Sequence, residues 1–194
     1  MFEGIDLSQP NILLSGGANG ADTLFSEKAS VAGHTVVNWI FSGYKSKMTA
    51  NLYKLTVDHL EQADLPLARA NTSLLRSFPT KSEQTNNLLR RNFYQVRWSE
   101  SVYAVSKFNQ DNSMLKIDGG TAWACQMYAD RFLFDKEPFE LCKMYFFDQI
   151  TEQWFQWNKI WSKIDEPPTP SGIYAGIGTR KLNSAGKRAI EYLY

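Results

Sequence analysis

The chain has 194 residues, a net charge of +1, and 43% hydrophobic against 21% charged residues. That composition describes a folded domain with a buried core and excludes a disordered chain; the near-zero charge gives no global field toward nucleic acid or an anionic membrane. Two cysteines, Cys125 and Cys142, and two histidines, His34 and His59, exclude a disulfide framework and a His-rich metal site. No apolar run is long enough to span a bilayer, and the opening "MFEGIDLSQP" lacks the basic start and apolar stretch of a signal peptide. A cytoplasmic setting is the resulting expectation.

In chain order, "NILLSG" (11–16) reads as a short buried strand. Residues 21–33 carry apolar side chains at helical spacing and end on Gly33, a good C-terminal stop. "HTVVNWIF" (34–41) is the next strand by its β-branched and aromatic content. A polar, basic loop with Lys45 and Lys47 follows, then a predicted helix over 50–63 that Pro66 interrupts. Residues 85–98 read as a helix, 101–108 as a strand, and "NQDNSMLKIDGG" (109–120) as a loop. A helix over 121–132 and a strand over 139–149 come next. "ITEQWFQWNKIW" then reads as a turn and second strand, giving a Trp-rich hairpin over about 145–164. "DEPPTPSG" (165–172) is a rigid connector, 173–180 a last strand, and "SAGKRAIEYLY" a last helix. Strands alternating with helices predict one α/β domain over 1–194, Rossmann-like, with a mostly parallel sheet and helices on both faces. Only 24 residues follow the prolines, too few for a second domain, so they join the same sheet.

Three strands end in glycine clusters: "SGGANGAD" (15–22), "DGGTAW" (118–123) and "GIGTR" (176–180). A parallel sheet brings all three to its carboxyl edge, where open α/β sheets bind ligands. Bare backbone N–H groups and helix N-termini there favour an anion, so a phosphate or ribose site is the expectation, although each cluster alone serves equally as a tight turn. Neither G-x-x-x-x-G-K-[ST] nor G-x-G-x-x-G is present, which excludes the usual P-loop and dinucleotide motifs. The candidate ligand residues are Ser15, Gly16, Gly17, Asn19, Gly20 and Asp22, then Gly119, Gly120, Thr121 and Gln126, and finally Gly176, Gly178, Thr179 and Arg180. Arg90 and Arg91 offer planar forks for a phosphate, with a solvated helix face as the alternative, and Asn92 adds a donor. Lys45 and Lys47 either reach an anion or are solvated. Asp22 caps a helix or meets a ribose; Thr121 is a ligand hydroxyl or an N-cap; Asp118 is a turn residue. His34 reads as strand-start structure and His59 as helix surface. Aromatics make up 14% of the chain, and Trp123, Trp154, Trp157 and Trp161 crowd its second half. They form core or an oligomer interface, or else a ring that stacks on a base; a homo-oligomer is a further expectation.

"SGGANGADTLFSEKA", "DGGTAWACQMYAD" and "YAGIGTRKLNSAGKRAIEYLY" together resemble the circularly permuted YpsA-like branch of the SLOG superfamily, which includes LOG-type nucleotide phosphoribohydrolases. "RRNFYQVRWSESVYAVSKF" is similar to the family's polar helix and central strand. In unpermuted relatives the GIGSR-like unit precedes the SGG strand; here it comes last, so the order resembles the permuted branch. The resemblance implies that the last helix ends near Met1 or the "NILLSG" strand. Residues 42–84 read as an insertion without a counterpart. LOG-like enzymes carry a Glu on the helix after the GGT turn, and Gln126 stands at that position here. Glutamine cannot exchange a proton as a carboxylate does, so the expectation leans away from an enzyme and toward a protein that binds, sequesters or senses a nucleotide-derived ligand, with no cofactor. The aromatic-rich, insertion-bearing form resembles variants found in large bacteriophages, and that resemblance implies an anti-defence role in the host cytoplasm. The alternatives are an N-glycosidase using Asp22 and an interaction module using the Trp-rich segment.

Overall fold

The computed structural model describes residues 5, 9–111, 114–135 and 137–194. In chain order its strands are β1 (Asn11–Ser15), β2 (Thr35–Phe41), β3 (Leu52–Leu55), β4 (Ser101–Ser106), β5 (Phe108–Asp111), β6 (Met114–Ile117), β7 (Lys143–Asp148), β8 (Gln153–Asn158), β9 (Ile160–Ile164) and β10 (Gly172–Gly178). Its helices are α1 (Ala21–Val31), α2 (Val57–Glu61), α3 (Asp64–Leu74), α4 (Glu83–Val96), α5 (Thr121–Leu133) and α6 (Ser184–Tyr192), with one 3-10 turn at Phe139–Leu141. Eight strands form one sheet in the order β3-β2-β1-β10-β4-β7-β8-β9. From β3 to β7 neighbouring strands pair in parallel; β8 and β9 add an antiparallel edge. This is the mixed α/β, Rossmann-like architecture that the strand–helix alternation predicts.

The layers follow from period-two alternation along the strands. On the central strand β4, Val102 and Ala104 face the layer that contains α3 and α5, while Tyr103 and Val105 face α1 and α6. Burial on both faces explains why β4 reads as a continuous apolar run. The proline-bearing connector runs over the α1 and α6 face, where the Tyr103 hydroxyl donates to the Pro168 carbonyl at 2.9 Å. Trp154 is buried in that same core.

Several segments differ from their sequence reading: residues 139–141 form a 3-10 turn rather than the start of a strand, and the Trp-rich segment carries two strands, β8 and β9, rather than one. The predicted helix over 50–63 is instead β3, which pairs with β2 and buries Leu55, followed by the short α2. Thr56 ends the strand and caps α2 in a reciprocal box with His59, whose exposed ring accepts from the Thr56 N–H. Pro66 does not interrupt a helix; it lies in the first turn of α3, where a missing N–H costs no helical bond. The predicted loop over 109–120 contains the β5–β6 hairpin, because Phe108 and Ile117 pair across it and both enter the core.

The last residue ends beside β1. The Tyr194 ring meets the His34 ring at 5.6 Å, its hydroxyl lies 3.0 Å from that of Tyr174, and His34 lies 3.3 Å from the Asn11 amide. Met1 lies outside the described residues.

Candidate functional site

The sheet reverses its direction of growth around β10. From β1 the chain builds outward through β2 and β3; from β4 it builds the other way through β7. Such a switch point leaves a crevice at the carboxyl ends of the strands. A cavity of about 500 Å³ opens there, walled by Ala18 and Asp22 after β1, Ile177 to Arg180 at the end of β10, Ser106 of β4, α4, and the turn into α5.

The three glycine clusters do not contribute equally. The first and third interlock with other parts of the protein. A Cβ on Gly16 would stand 2.5 Å from the Arg91 Cζ, and the Gly16 carbonyl accepts from Arg91 Nη1 at 2.7 Å. A Cβ on Gly178 would collide with the Val105 carbonyl. Gly176 is packed by Phe25 and Leu13, the Ala21 N–H near Gly20 donates to the Thr179 carbonyl, and Ser15 donates to the Gly176 carbonyl. Gly17 is covered by the following loop, where Ser46 and the Lys47 N–H both donate to its carbonyl. Asn19, Lys45 and Lys47 are exposed and do not line the cavity. The second cluster is open: Gly119 and Gly120 both line the cavity, and α5 begins there with Gly120 as N-cap and no side-chain cap bond. Thr121 is therefore the first helical residue and not the cap; it lines the cavity.

Adjacent residues on a helix point about 100° apart, and this separates the two arginines. Arg90 turns toward α3, donating to both Asp64 oxygens at 2.6 and 3.0 Å and to Glu83; it does not line the cavity. Arg91 turns inward and is only 4% exposed. Its guanidinium lies over the Tyr44 ring at 4.8 Å, its Nη2 stands 3.7 Å from Asp22, and its Nε has no hydrogen-bond partner among the described residues. Asn92 also lines the cavity and donates to the Gly120 carbonyl at 3.2 Å.

Asp22 is 3% exposed. One carboxylate oxygen accepts from the Gly178 N–H at 3.1 Å, the other from Gln95 at 3.3 Å. It ties α1 to the β10 turn rather than capping its own helix, whose N-cap is Gly20. Burial pushes its pKa up; Arg91 and the hydrogen-bond donors pull it back without cancelling the rise. An acid with a raised folded pKa stabilises the fold fully below its unfolded value near 3.8 and loses that contribution as pH climbs through the folded value. The stability of Asp22→Asn relative to the unmodified protein should therefore rise as pH increases from about 4. Urea unfolding of both proteins across that range checks this, and a flat difference would contradict it.

Gln126 does not face this cavity. Five positions on from Thr121, the helix has turned it toward a different cavity, and its amide donates to the buried Asp130, which lines neither cavity, at 2.7 Å. The α5 residues on the first cavity are Thr121, Trp123 and Ala124, and none is acidic. Sequence reasoning missed Arg76, Gln95 and Ser106. Arg76 donates to the Ile117 and Gly119 carbonyls, holding the turn before α5. Gln95 had a readable signal, since a polar side chain four residues after Arg91 shares its face of the helix. Asp118 is a turn residue that accepts from the Gly119 N–H at 2.8 Å; burial opposes its charge, but bonds from Asn109 and Gly119 and the nearby Lys107 outweigh it and lower the pKa.

Among the described residues no cluster of three or more His, Cys, Asp or Glu side chains is placed to hold a metal, and no helix is long and apolar enough to cross a membrane. No family model and no curated protein matches the chain. One solved structure, described as a "Putative molybdenum carrier protein" from Syntrophus aciditrophicus SB, is similar over 96% of this chain and 94% of its own, with a TM-score of 0.50 and 15% sequence identity. At that identity the likeness speaks for the fold: both chains share the α/β architecture.

Proposed function

We propose that the cavity at the carboxyl edge binds a small anionic ligand, a nucleotide or nucleotide-derived molecule, and holds it without cleaving it. The observation that carries this reading is Arg91. A buried guanidinium on a cavity wall, with its Nε unpartnered among the described residues, is costly unless an anion completes its surroundings. The uncapped start of α5 supplies N–H groups on the same cavity, and Arg180 stands exposed at its edge. The volume of about 500 Å³ suits a mononucleotide-sized ligand. Retention without turnover is supported by the α5 wall, which offers no acid, and by Asp22, whose two oxygens are already engaged. In biological terms this is sequestration or sensing of a nucleotide-derived signal. On the same reading the chain order is that of the permuted branch: β10 and α6 follow the rest of the sheet in sequence yet pack beside β1 and α1.

One observation favours the second reading, an N-glycosidase. Asp22 lines the cavity with a raised pKa, a property of general acids. Incubating the protein with a nucleotide mixture, washing, heating and identifying the released molecule by mass spectrometry separates the two. An intact phosphate-bearing ligand is expected. Free base with ribose phosphate would replace binding with hydrolysis, and nothing retained or cleaved would remove both.

A further inference from the structure

A second cavity, of about 630 Å³, opens on another face of α5. Ala122, Cys125, Gln126 and Ala129 line it at helical spacing, and the small side chains of Ala122, Cys125 and Ala129 leave the space. The facing wall is aromatic. Trp157 and Trp161 are direct cross-strand partners on β8 and β9, so their side chains share one face of the sheet. Each ring is backed by others: Trp157 by Phe139 at 5.5 Å, Trp161 by Phe108 and Phe146 at 5.7 and 5.6 Å. Rings held in place this way can take a flat ligand with little further loss of rotamer freedom.

The charge is one-sided. Arg76, Lys116 and Lys159 line this cavity, and no carboxylate does among the described residues. The first cavity, by contrast, includes Asp22 and Asp118. We propose that the second cavity is a separate binding site for a flat aromatic anion, an aryl or heteroaryl ring carrying a phosphate or carboxylate. The ring lies against Trp157 and Trp161, and the anionic group meets Lys116, Lys159 and Arg76. Arg76 lines both cavities, whereas the two tryptophans and the two lysines belong to this one alone.

The tryptophans themselves report which cavity is filled, because Trp123 lines the first and Trp157 and Trp161 the second. The test titrates 1-naphthyl phosphate into 15N-labelled protein and follows the indole N–H signals, assigned by single Trp→Phe substitutions. Saturable shifts at Trp157 and Trp161 are expected. Uncharged 1-naphthol should bind at least about tenfold more weakly, and the double charge reversal Lys116→Glu/Lys159→Glu, at two exposed positions, should weaken the phosphate by about tenfold or more. Equal binding of naphthol, or no response to the charge reversal, would reduce the cavity to an apolar groove and overturn the proposal. Shifts confined to Trp123 would also overturn it while supporting an anion site at the glycine-rich edge. The absence of any saturable shift would overturn it and leave the first cavity to be judged by its own ligand assay.

Discussion

Arg91→Ala is expected to abolish ligand retention in the first cavity and to cost about 3 kcal/mol of stability, because removing one member of a buried ion pair strands the other. Asp22 would then be a buried carboxylate held by the Gly178 and Ala18 N–H groups and by Gln95, with no positive charge beside it among the described residues. The carbonyl of Gly16 would lose its donor, and Tyr44 its cation. The two losses have different origins, and a second variant separates them. Arg91→Met with Asp22→Asn removes both charges and should recover much of the stability, since replacing a buried pair by neutral groups is often close to neutral. It should not recover binding, because no guanidinium remains to meet the anion. Denaturant unfolding and equilibrium dialysis with a nucleotide mixture measure the two effects. Arg90→Ala is the matched control. Its partners Asp64 and Glu83 are largely exposed, so retention should stay unchanged and stability fall by no more than about 1 kcal/mol. If Arg91→Ala still retained ligand as the unmodified protein does, the first cavity would not be the anion site.

Gly178→Ala should destabilise the protein by about 2–3 kcal/mol through overpacking. The added methyl meets the backbone carbonyl of Val105, which has no rotamer through which to escape, and stands 2.6 Å from the Ala21 Cβ. That carbonyl accepts from the Thr179 N–H at 2.8 Å, and Gly178 donates to Asp22, so the displacement spreads to both walls of the cavity. Ligand retention should fall with stability. Gly33→Ala provides the contrast: nothing lies within 4 Å of its Cβ position, so only its backbone at φ +79° resists substitution, at about 1 kcal/mol. Thermal unfolding of the two variants gives the comparison. Equal losses would mean that the β10 turn has room that its packing denies.

The local sequence determined what depends on neighbours within a few positions. The apolar runs of β1, β4 and β10, the helical spacing of α1 and α5, and the glycine stops are properties of short windows, and they were enough to predict a mostly parallel sheet flanked by helices. They also placed three glycine clusters at one sheet edge, because parallel strands must end together. The errors fell where a distant partner outweighed local preference. Residues 52–55 have a helix-compatible pattern, but β2 offers them an edge to pair with. Phe108 and Ile117 look like the ends of a loop until the core takes both. Only the tertiary structure decided what each glycine is for: Gly16 and Gly178 make room for Arg91 and Val105, whereas Gly119 and Gly120 stand open to the cavity. It also decided which of two consecutive arginines enters the cavity and that Gln126 leaves it. A single helical step rotates a side chain by about 100°, and the packing of α4 and α5 against the sheet fixes which direction is inward.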